Sequence, residues 1–289
     1  MRLHNRRAKA PKMIDINQIG DTRRKAKFDP GLADIVNRRY EAKPVKKTRH
    51  ETVAPMSTSS IDFFIEAFDN YYRIGGVQCH DGPCAIDLST ELLPERTLLQ
   101  HANHAKKAKP DEFRACGAPL VYAVCKVLCE NKANAKYARI VEEAKNFLQK
   151  AFKENWLNTL SRVQYNSQGL DKVIYESKQV SKEEKLAKLV GRDGCITKPK
   201  TDAQEYCQAI LGTKDDVAKI NEVFKWVTGK ESYAWRINSA PSSIAERVLV
   251  LGVNDDGRFG IDTDGVIVGR PALGVRRAKN FSTRNGGAQ

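Results

Sequence analysis

This chain predicts an α+β fold: a helical block followed by a mixed domain that ends in a β-meander, with a basic N-terminal arm. Three observations carry the prediction. Between residues 118 and 157 apolar side chains recur at helical spacing. From Tyr233 to Arg276 short apolar runs alternate with two tight-turn signals, Asn254-Asp255-Asp256-Gly257 and Thr263-Asp264-Gly265. Residues 1–57 are strongly basic and carry no sustained apolar period. The expected organisation is an extended arm over 1–57, a helical block over 58–150, a mixed α+β domain over 151–280 and a tail over 281–289.

In the arm, Arg6, Arg7, Lys9, Lys12, Arg23, Arg24, Lys25, Lys27, Arg38, Arg39, Lys43, Lys46, Lys47 and Arg49 sit between short apolar pieces, and Pro11, Pro30 and Pro44 break any long helix. A helix is expected to begin at Ser59 or Ser60, either of which suits an N-cap. It presents Ile61, Phe64, Ile65, Phe68, Tyr71 and Tyr72 and stops at Gly75-Gly76. A loop-rich stretch follows to about residue 115. Pro119 then opens a helix whose face is Val121, Val124, Cys125, Leu128 and Cys129. Residues 134–157 continue as a long amphipathic helix carrying Tyr137, Ile140, Val141, Ala144, Leu148, Ala151 and Phe152 on one side.

Beyond residue 150 the texture becomes mixed. Val163–Tyr165 and Lys172–Tyr175 predict short strands around a turn at 166–169. Residues 202–211 and 215–227 predict two helices, the second capped around Thr213 and closed by Gly229. Arg247–Val253, Arg258–Asp262 and Val266–Val268 then form the strands of the meander. Asp-Gly supplies the positive φ that tight hairpin turns demand.

Composition bounds the function. With 289 residues and 41% hydrophobic content the chain can bury a core. No run of 18 apolar residues argues for a membrane span, and no apolar segment follows the N-terminal charges as a secretory signal would require. Seven cysteines, an odd number in a long chain, read as unpaired thiols in a reducing compartment, and hence as a cytoplasmic or virion-associated protein. The net charge of +14 is concentrated at the ends: residues 1–57 hold 15 Lys/Arg against 6 Asp/Glu, and Arg276, Arg277, Lys279 and Arg284 follow without an acid. The body between is close to neutral. Such ends attract a polyanion by counterion release, without a shaped groove. Phe28 and Tyr40 are the arm's aromatics, too few to support base stacking there.

Chemistry-bearing motifs are sparse. Cys79-His80-Asp81-Gly82-Pro83-Cys84 with His101 and His104 offers zinc donors, but Cys-x4-Cys followed by His-x2-His departs from structural zinc spacings, and a polar loop explains it better. Gly82-Pro83 suits a turn that brings the two thiols together. Cys125 and Cys129, one helical turn apart in an apolar stripe, read as core. The two Asp-rich turns lack the spaced acidic series of a calcium loop, because Arg258 and Val266 interrupt them. There is no phosphate-cradling glycine motif and no nucleophile with an adjacent base. The reading is therefore a protein without catalytic residues, metal or cofactor.

The residues Tyr233, Trp235, Arg236, Arg247-Val248 and Gly269-Arg270-Pro271-Ala272-Leu273-Gly274-Val275-Arg276 resemble the last third of C-type-lectin-like domains of the prokaryotic and phage branch. That branch includes the variable proteins of diversity-generating retroelements and domains related to formylglycine-generating enzymes. The resemblance covers about 45 residues. It implies a scaffold whose late strands display a ligand surface, with Asn254, Asp255, Asp256, Arg258, Asp262 and Asp264 at or near it and Trp235 as a core anchor. The chain lacks the Trp-Asn-Asp calcium and sugar motif, and it lacks the late cysteine pair of the oxidase relatives, so neither activity carries over.

The expected function is a non-enzymatic binding protein that recognises a protein or other macromolecular ligand through this hairpin surface. Its basic ends would anchor it, with no membrane partner and with room for an oligomer. The alternative is a nucleic-acid-binding structural protein, a viral or prokaryotic virion or ribonucleoprotein component, that uses Arg6, Arg7, Lys9, Arg23, Arg24, Lys25, Lys27, Arg38, Arg39, Lys46 and Lys47.

Overall fold

The stretch from Ile61 to Ile74, expected as a helix, is a β-hairpin. The computed structural model describes residues 61–79, 82–165, 171–176, 181–186, 194–196, 204–236 and 244–278, so the expectations for the arm, for Ser59 and Ser60, and for the tail lie outside the described residues. Strands β1 (Ile65–Ala67) and β2 (Tyr71–Cys79) pair antiparallel. Asp69 and Asn70 occupy the turn, which the Phe68 N–H closes by donating to the Tyr71 carbonyl at 2.9 Å. Dense Ile, Phe, Tyr and Val favour a pleated surface, and Tyr72 and Ile74, two residues apart, share one strand face. Gly75-Gly76 does not end a helix. Pairing with the next strand shifts register between Ile74 and Val77, Gly76 has φ +74°, and a Cβ on Gly75 would fall 2.0 Å from Phe64 Cε1. Gly75 lets the Phe64 ring lie directly on the backbone, and Gly76 supplies the left-handed conformation at the register shift.

The expected loop up to residue 115 is also regular structure. β3 (Gly82–Arg96) pairs with β2, and α1 (Leu98–Lys107) follows at once. Thr97 caps α1: its Oγ1 accepts from the Gln100 N–H at 3.3 Å, while Gln100 Oε1 accepts from the Thr97 N–H at 2.9 Å. Thr97-x-x-Gln100 is thus a capping box, and the helix it opens replaces the loop expected there. Helices α2 (Ala118–Glu130) and α3 (Ala138–Glu154) lie where expected, with Pro119 in the first turn of α2.

After residue 155 come β4 (Leu157–Tyr165), β5 (Asp171–Glu176), β6 (Ser181–Leu186), β7 (Gly194–Ile196), α4 (Gln204–Leu211) and α5 (Val217–Thr228). Asp216, and not Thr213, caps α5, accepting from the Lys219 N–H at 2.7 Å. Gly229 closes the helix with φ 71°, in the left-handed region that suits glycine. β8 (Ser232–Arg236), β9 (Ala245–Val253), β10 (Phe259–Gly265) and β11 (Arg270–Arg277) complete the chain.

Only half of the predicted meander is present. β9 and β10 form the expected hairpin around Gly257. β10 then pairs in parallel with β8, and Val266–Val268 is a turn and not a strand. β11 leaves this sheet and pairs antiparallel with β3. Pro271 falls at a register shift in that pairing, between Arg270 and Ala272, where its missing N–H breaks no ladder bond. The result is a four-stranded sheet, β1-β2-β3-β11, and a seven-stranded sheet, β6-β5-β4-β9-β10-β8-β7.

Helix α2 packs on β2, α3 on β9, and α5 on β8 and β10. One buried cluster draws on residues from Ile65 to Val275 and a second, smaller one on residues from Leu98 to Ala272, so each includes side chains from both sides of residue 150. The described residues all belong to one compact unit, Ser57–Gln289. On the face of the large sheet away from the aromatic core, Trp156 lies over Gly252 and Gly260, which are direct cross-strand partners. A Cβ on Gly260 would sit 2.5 Å from the indole. The indole placed against these strands is thus Trp156, while the side chain of Trp235, the expected anchor, lies outside the described residues.

Candidate functional site

The six residues expected to face a ligand are distributed along β10 and the turn that precedes it. Asn254 Oδ1 accepts from the Arg258 N–H at 3.0 Å, and the Asn254 amide donates to the Tyr233 hydroxyl. Asp256 pairs with the Arg258 guanidinium, which lies 4.7 Å from the Tyr233 ring centroid. Asp255 is exposed on the same turn. Asp262 and Asp264 share the other end of β10, where Asp264 pairs with Arg270, with Arg270 Nε at 3.1 Å. The structure gathers these groups into two local networks, one holding the turn and one tying β10 to the start of β11.

Asp262 is the one of the six whose environment perturbs it strongly. Burial pushes its carboxyl up to about 6, the Thr263 N–H works against the shift, the neighbouring Asp264 adds to it, and Arg270 and Arg247 oppose it. The folded-state value lies above that of the unfolded chain, so the folded chain holds a proton that the unfolded chain has lost between pH 3.8 and about 6. The stability this confers is complete below that window and lost as pH rises through it. Asp262→Asn is therefore expected to stabilise the protein at pH values above the window by about 2–3 kcal/mol, with no gain below it. Denaturant midpoints on the two sides of the window check this, and an equal gain on both sides would remove the argument.

The cysteines depart from expectation. The β2–β3 hairpin places Val77 opposite Cys84 and Cys79 opposite Gly82, and Cys79 and Cys84 form a disulfide with Cα atoms 6.0 Å apart. Both sulfurs are thereby withdrawn from any zinc site. His80 and Asp81 lie outside the described residues. His101 is fully buried on α1, with Nε2 3.0 Å from the Arg270 carbonyl oxygen. Among the described residues no group of three His, Cys, Asp or Glu is placed to hold a metal ion. Cys116, Cys125, Cys129 and Cys207 are free and buried; burial pushes the Cys125 thiol well up and Cys116 and Cys207 up to about 12, which keeps them protonated and unreactive.

The more distinctive surface is one the sequence reading missed, the outer face of the four-stranded sheet. Tyr71 and Arg73 of β2 stand opposite Ser89 and Asp87 of β3, and Arg276 of β11 stands opposite Asp87. Phe68 and Tyr71 stack with centroids 4.5 Å apart and planes 11° apart. The Arg73 guanidinium lies 5.1 Å from the Phe68 ring and 5.6 Å from Tyr71. Arg276 lies 4.8 Å from Tyr71 and 4.4 Å from Phe113. Beneath them Asp87, 1% exposed, accepts from Arg73 Nε at 2.7 Å and from Arg276 Nε at 3.0 Å. The shared carboxylate holds both guanidinium planes against the rings. Phe68, at the edge, is 41% exposed.

This face collects residues from positions 68, 71, 73, 87, 113 and 276, so no local motif announces it. The partial signal was the aromatic and arginine content of 68–73 together with the basic close of β11. Among the described residues no helix is long and apolar enough to cross a membrane. No family model, no curated protein and no solved structure matches this chain.

Proposed function

We propose that the protein is a non-enzymatic binding protein for single-stranded nucleic acid, which stacks bases on the outer face of the four-stranded sheet. The observation that supports this reading is the Phe68–Tyr71 stack, continued by Arg276 and Phe113 and flanked by Arg73. Every base has a π face, so such a row accepts sequence loosely, and guanidinium planes extend it. The charge on the face is nearly balanced, because Asp87 offsets one of its two arginines and Glu66 stands opposite Arg73. Stacking, and not charge, is the contribution of the folded unit. The salt-sensitive part of binding falls to the basic segments, 1–57 above all.

That division of labour yields the test. Tyr71→Ala is expected to weaken binding to a single-stranded oligonucleotide by about tenfold, since each stacked base contributes roughly 1–3 kcal/mol, and to leave the salt slope unchanged. A 58–289 chain is expected to lose most of that slope while keeping its preference for single over double strands. Fluorescence anisotropy across a salt series measures both. If Tyr71→Ala binds like the wild type, the face is not the platform.

A second proposal retains the C-type-lectin-like resemblance and recognition of a protein ligand by the β9–β10 hairpin. Its support is the rigidity of that turn, where Asn254, Asp256, Arg258 and Tyr233 hold one another in place and so reduce the ordering cost of binding. Asp256→Ala separates the two readings, because it loosens the turn without touching the aromatic face.

A further inference from the structure

Above the first turn of α2 lies a cleft of about 760 Å³, within the range of pockets that hold a nucleotide-sized molecule. Arg114, Lys126, Lys214, Arg276 and Arg277 line it, against Glu130 and Asp215. Both carboxylates are already engaged. Asp215 meets Lys126 Nζ at 2.7 Å and accepts from the Tyr122 hydroxyl at 2.8 Å, while Glu130 lies 4.0 Å from Lys126 and 3.9 Å from Lys219. Arg114 is different. Its backbone is clamped to β11, donating to the Val275 carbonyl at 2.9 Å and accepting from the Val275 N–H at 2.8 Å. Among the described residues no carboxylate pairs with its guanidinium, which is half buried, and burial pulls its pKa below the ordinary guanidinium value. A desolvated cation without a counter-charge is unfavourable unless something anionic completes it.

The start of α2 adds little direct hydrogen bonding. The Ala118 N–H donates to Ser161 Oγ at 3.0 Å, Pro119 has none, and the Leu120 N–H donates to the Gly117 carbonyl at 3.1 Å. Recognition of an anion there falls to side chains. The walls include Pro119, Leu120, Val127 and Leu211, which suit an apolar or aromatic body and not a bare ion. Lys126 and Arg276 are already paired, with Asp215 and Asp87, so that among the described residues Arg114 and Lys214 are cleft cations without an ion pair; two such charges favour a dianion over a carboxylate, and the planar fork of arginine matches phosphate oxygens.

The geometry points to a site for an organic phosphate monoester, whose phosphate rests on Arg114 and whose body lies along Pro119 and Leu120. This site is separate from the stacking face, although Arg276 borders both, and it does not depend on the nucleic-acid reading. The phosphate is supplied either by a free nucleotide or by the phosphorylated end of a strand, and the probes distinguish these sources.

The experiment titrates the full-length protein with adenosine 5′-monophosphate, adenosine, inorganic phosphate, and a hexanucleotide with and without a 5′-phosphate. Calorimetry reads the affinities, and amide shifts near residues 114–120 locate the site. Adenosine monophosphate is expected to bind at least about tenfold more tightly than adenosine or inorganic phosphate, the difference one charge-assisted bond supplies. Arg114→Gln is expected to abolish that advantage. Tyr71→Ala leaves it intact, so failure of this site and failure of the stacking face are distinguishable. A strand-end site would show the phosphorylated hexanucleotide binding above the unphosphorylated one by a similar factor, and a free-nucleotide site would not. Lys214→Gln, on an exposed side chain, gives a smaller loss and serves if Arg114→Gln does not fold. Equal affinities for the monophosphate and adenosine, shifts confined to Tyr71 and Phe113, or wild-type binding by a folded Arg114→Gln would each overturn the site.

Discussion

Phe259→Ala is expected to destabilise the protein by about 3–5 kcal/mol, a large part of the 5–15 kcal/mol that holds a typical domain together. Phe259 is fully buried at the start of β10, with its ring centroid 5.2 Å from Phe152 of α3 and 4.5 Å from Phe224 of α5. Phe224 in turn lies 5.6 Å from Tyr122 of α2. One ring therefore joins two helices to the large sheet, and its loss leaves a cavity bounded by side chains from three elements that cannot all collapse together. Phe259→Leu keeps most of the volume and is expected to lose about 1 kcal/mol. Urea titrations of the two variants measure the difference. Similar midpoints for both would show that the aromatic cluster is not the centre of the core.

Asp87→Ala is expected to be nearly as damaging, at about 3 kcal/mol, by a different mechanism. Its carboxylate is almost completely buried and serves two guanidinium groups, so its removal leaves Arg73 and Arg276 close together without the carboxylate that bridges them. Both arginine side chains keep 21% exposure, which lets water relieve part of the loss and sets the figure at the lower end for buried pairs. Asp87→Asn retains an acceptor and the shape and is expected to lose less. The functional consequence is as informative as the stability. Without Asp87 the guanidinium planes are no longer held on Phe68, Tyr71 and Phe113, so stacking of single-stranded nucleic acid is expected to weaken even in the folded fraction. An Asp87→Ala chain within about 1 kcal/mol of wild type would mean that the network is screened by solvent.

The helices were the most legible part of the sequence. α2, α3 and α5 carry long apolar periods with local punctuation, Pro119 opening α2 and Gly229 closing α5, and such signals act within a turn or two of chain. The β9–β10 hairpin was legible for the same reason, since Asp256-Gly257 supplies its turn from adjacent residues. The β1–β2 hairpin was misread because five aromatic and branched residues within nine positions satisfy a helical and a strand face equally. What decides between them is β3, which lies later in the chain and offers β2 a pairing partner along its length. Of the two glycines that look like a helix stop, Gly75 lies under the Phe64 ring and Gly76 adopts φ +74° against the backbone of residues 61 and 63.

The sequence by itself determined an α+β chain with a neutral body and basic ends, four of its helices, and the turn that ends in Gly257, because each of these follows from composition or from neighbours a few residues apart. Only the tertiary structure decided that β8 takes the place beside β10 and that β11 joins β3, where Ala272, Leu273 and Val275 are buried. That single pairing brings Arg276 beside Asp87, across 189 positions, and so completes both the stacking face and the wall of the cleft. Contacts of that separation leave no trace in local spacing, because their energy is realised only once both sheets have formed around a shared core.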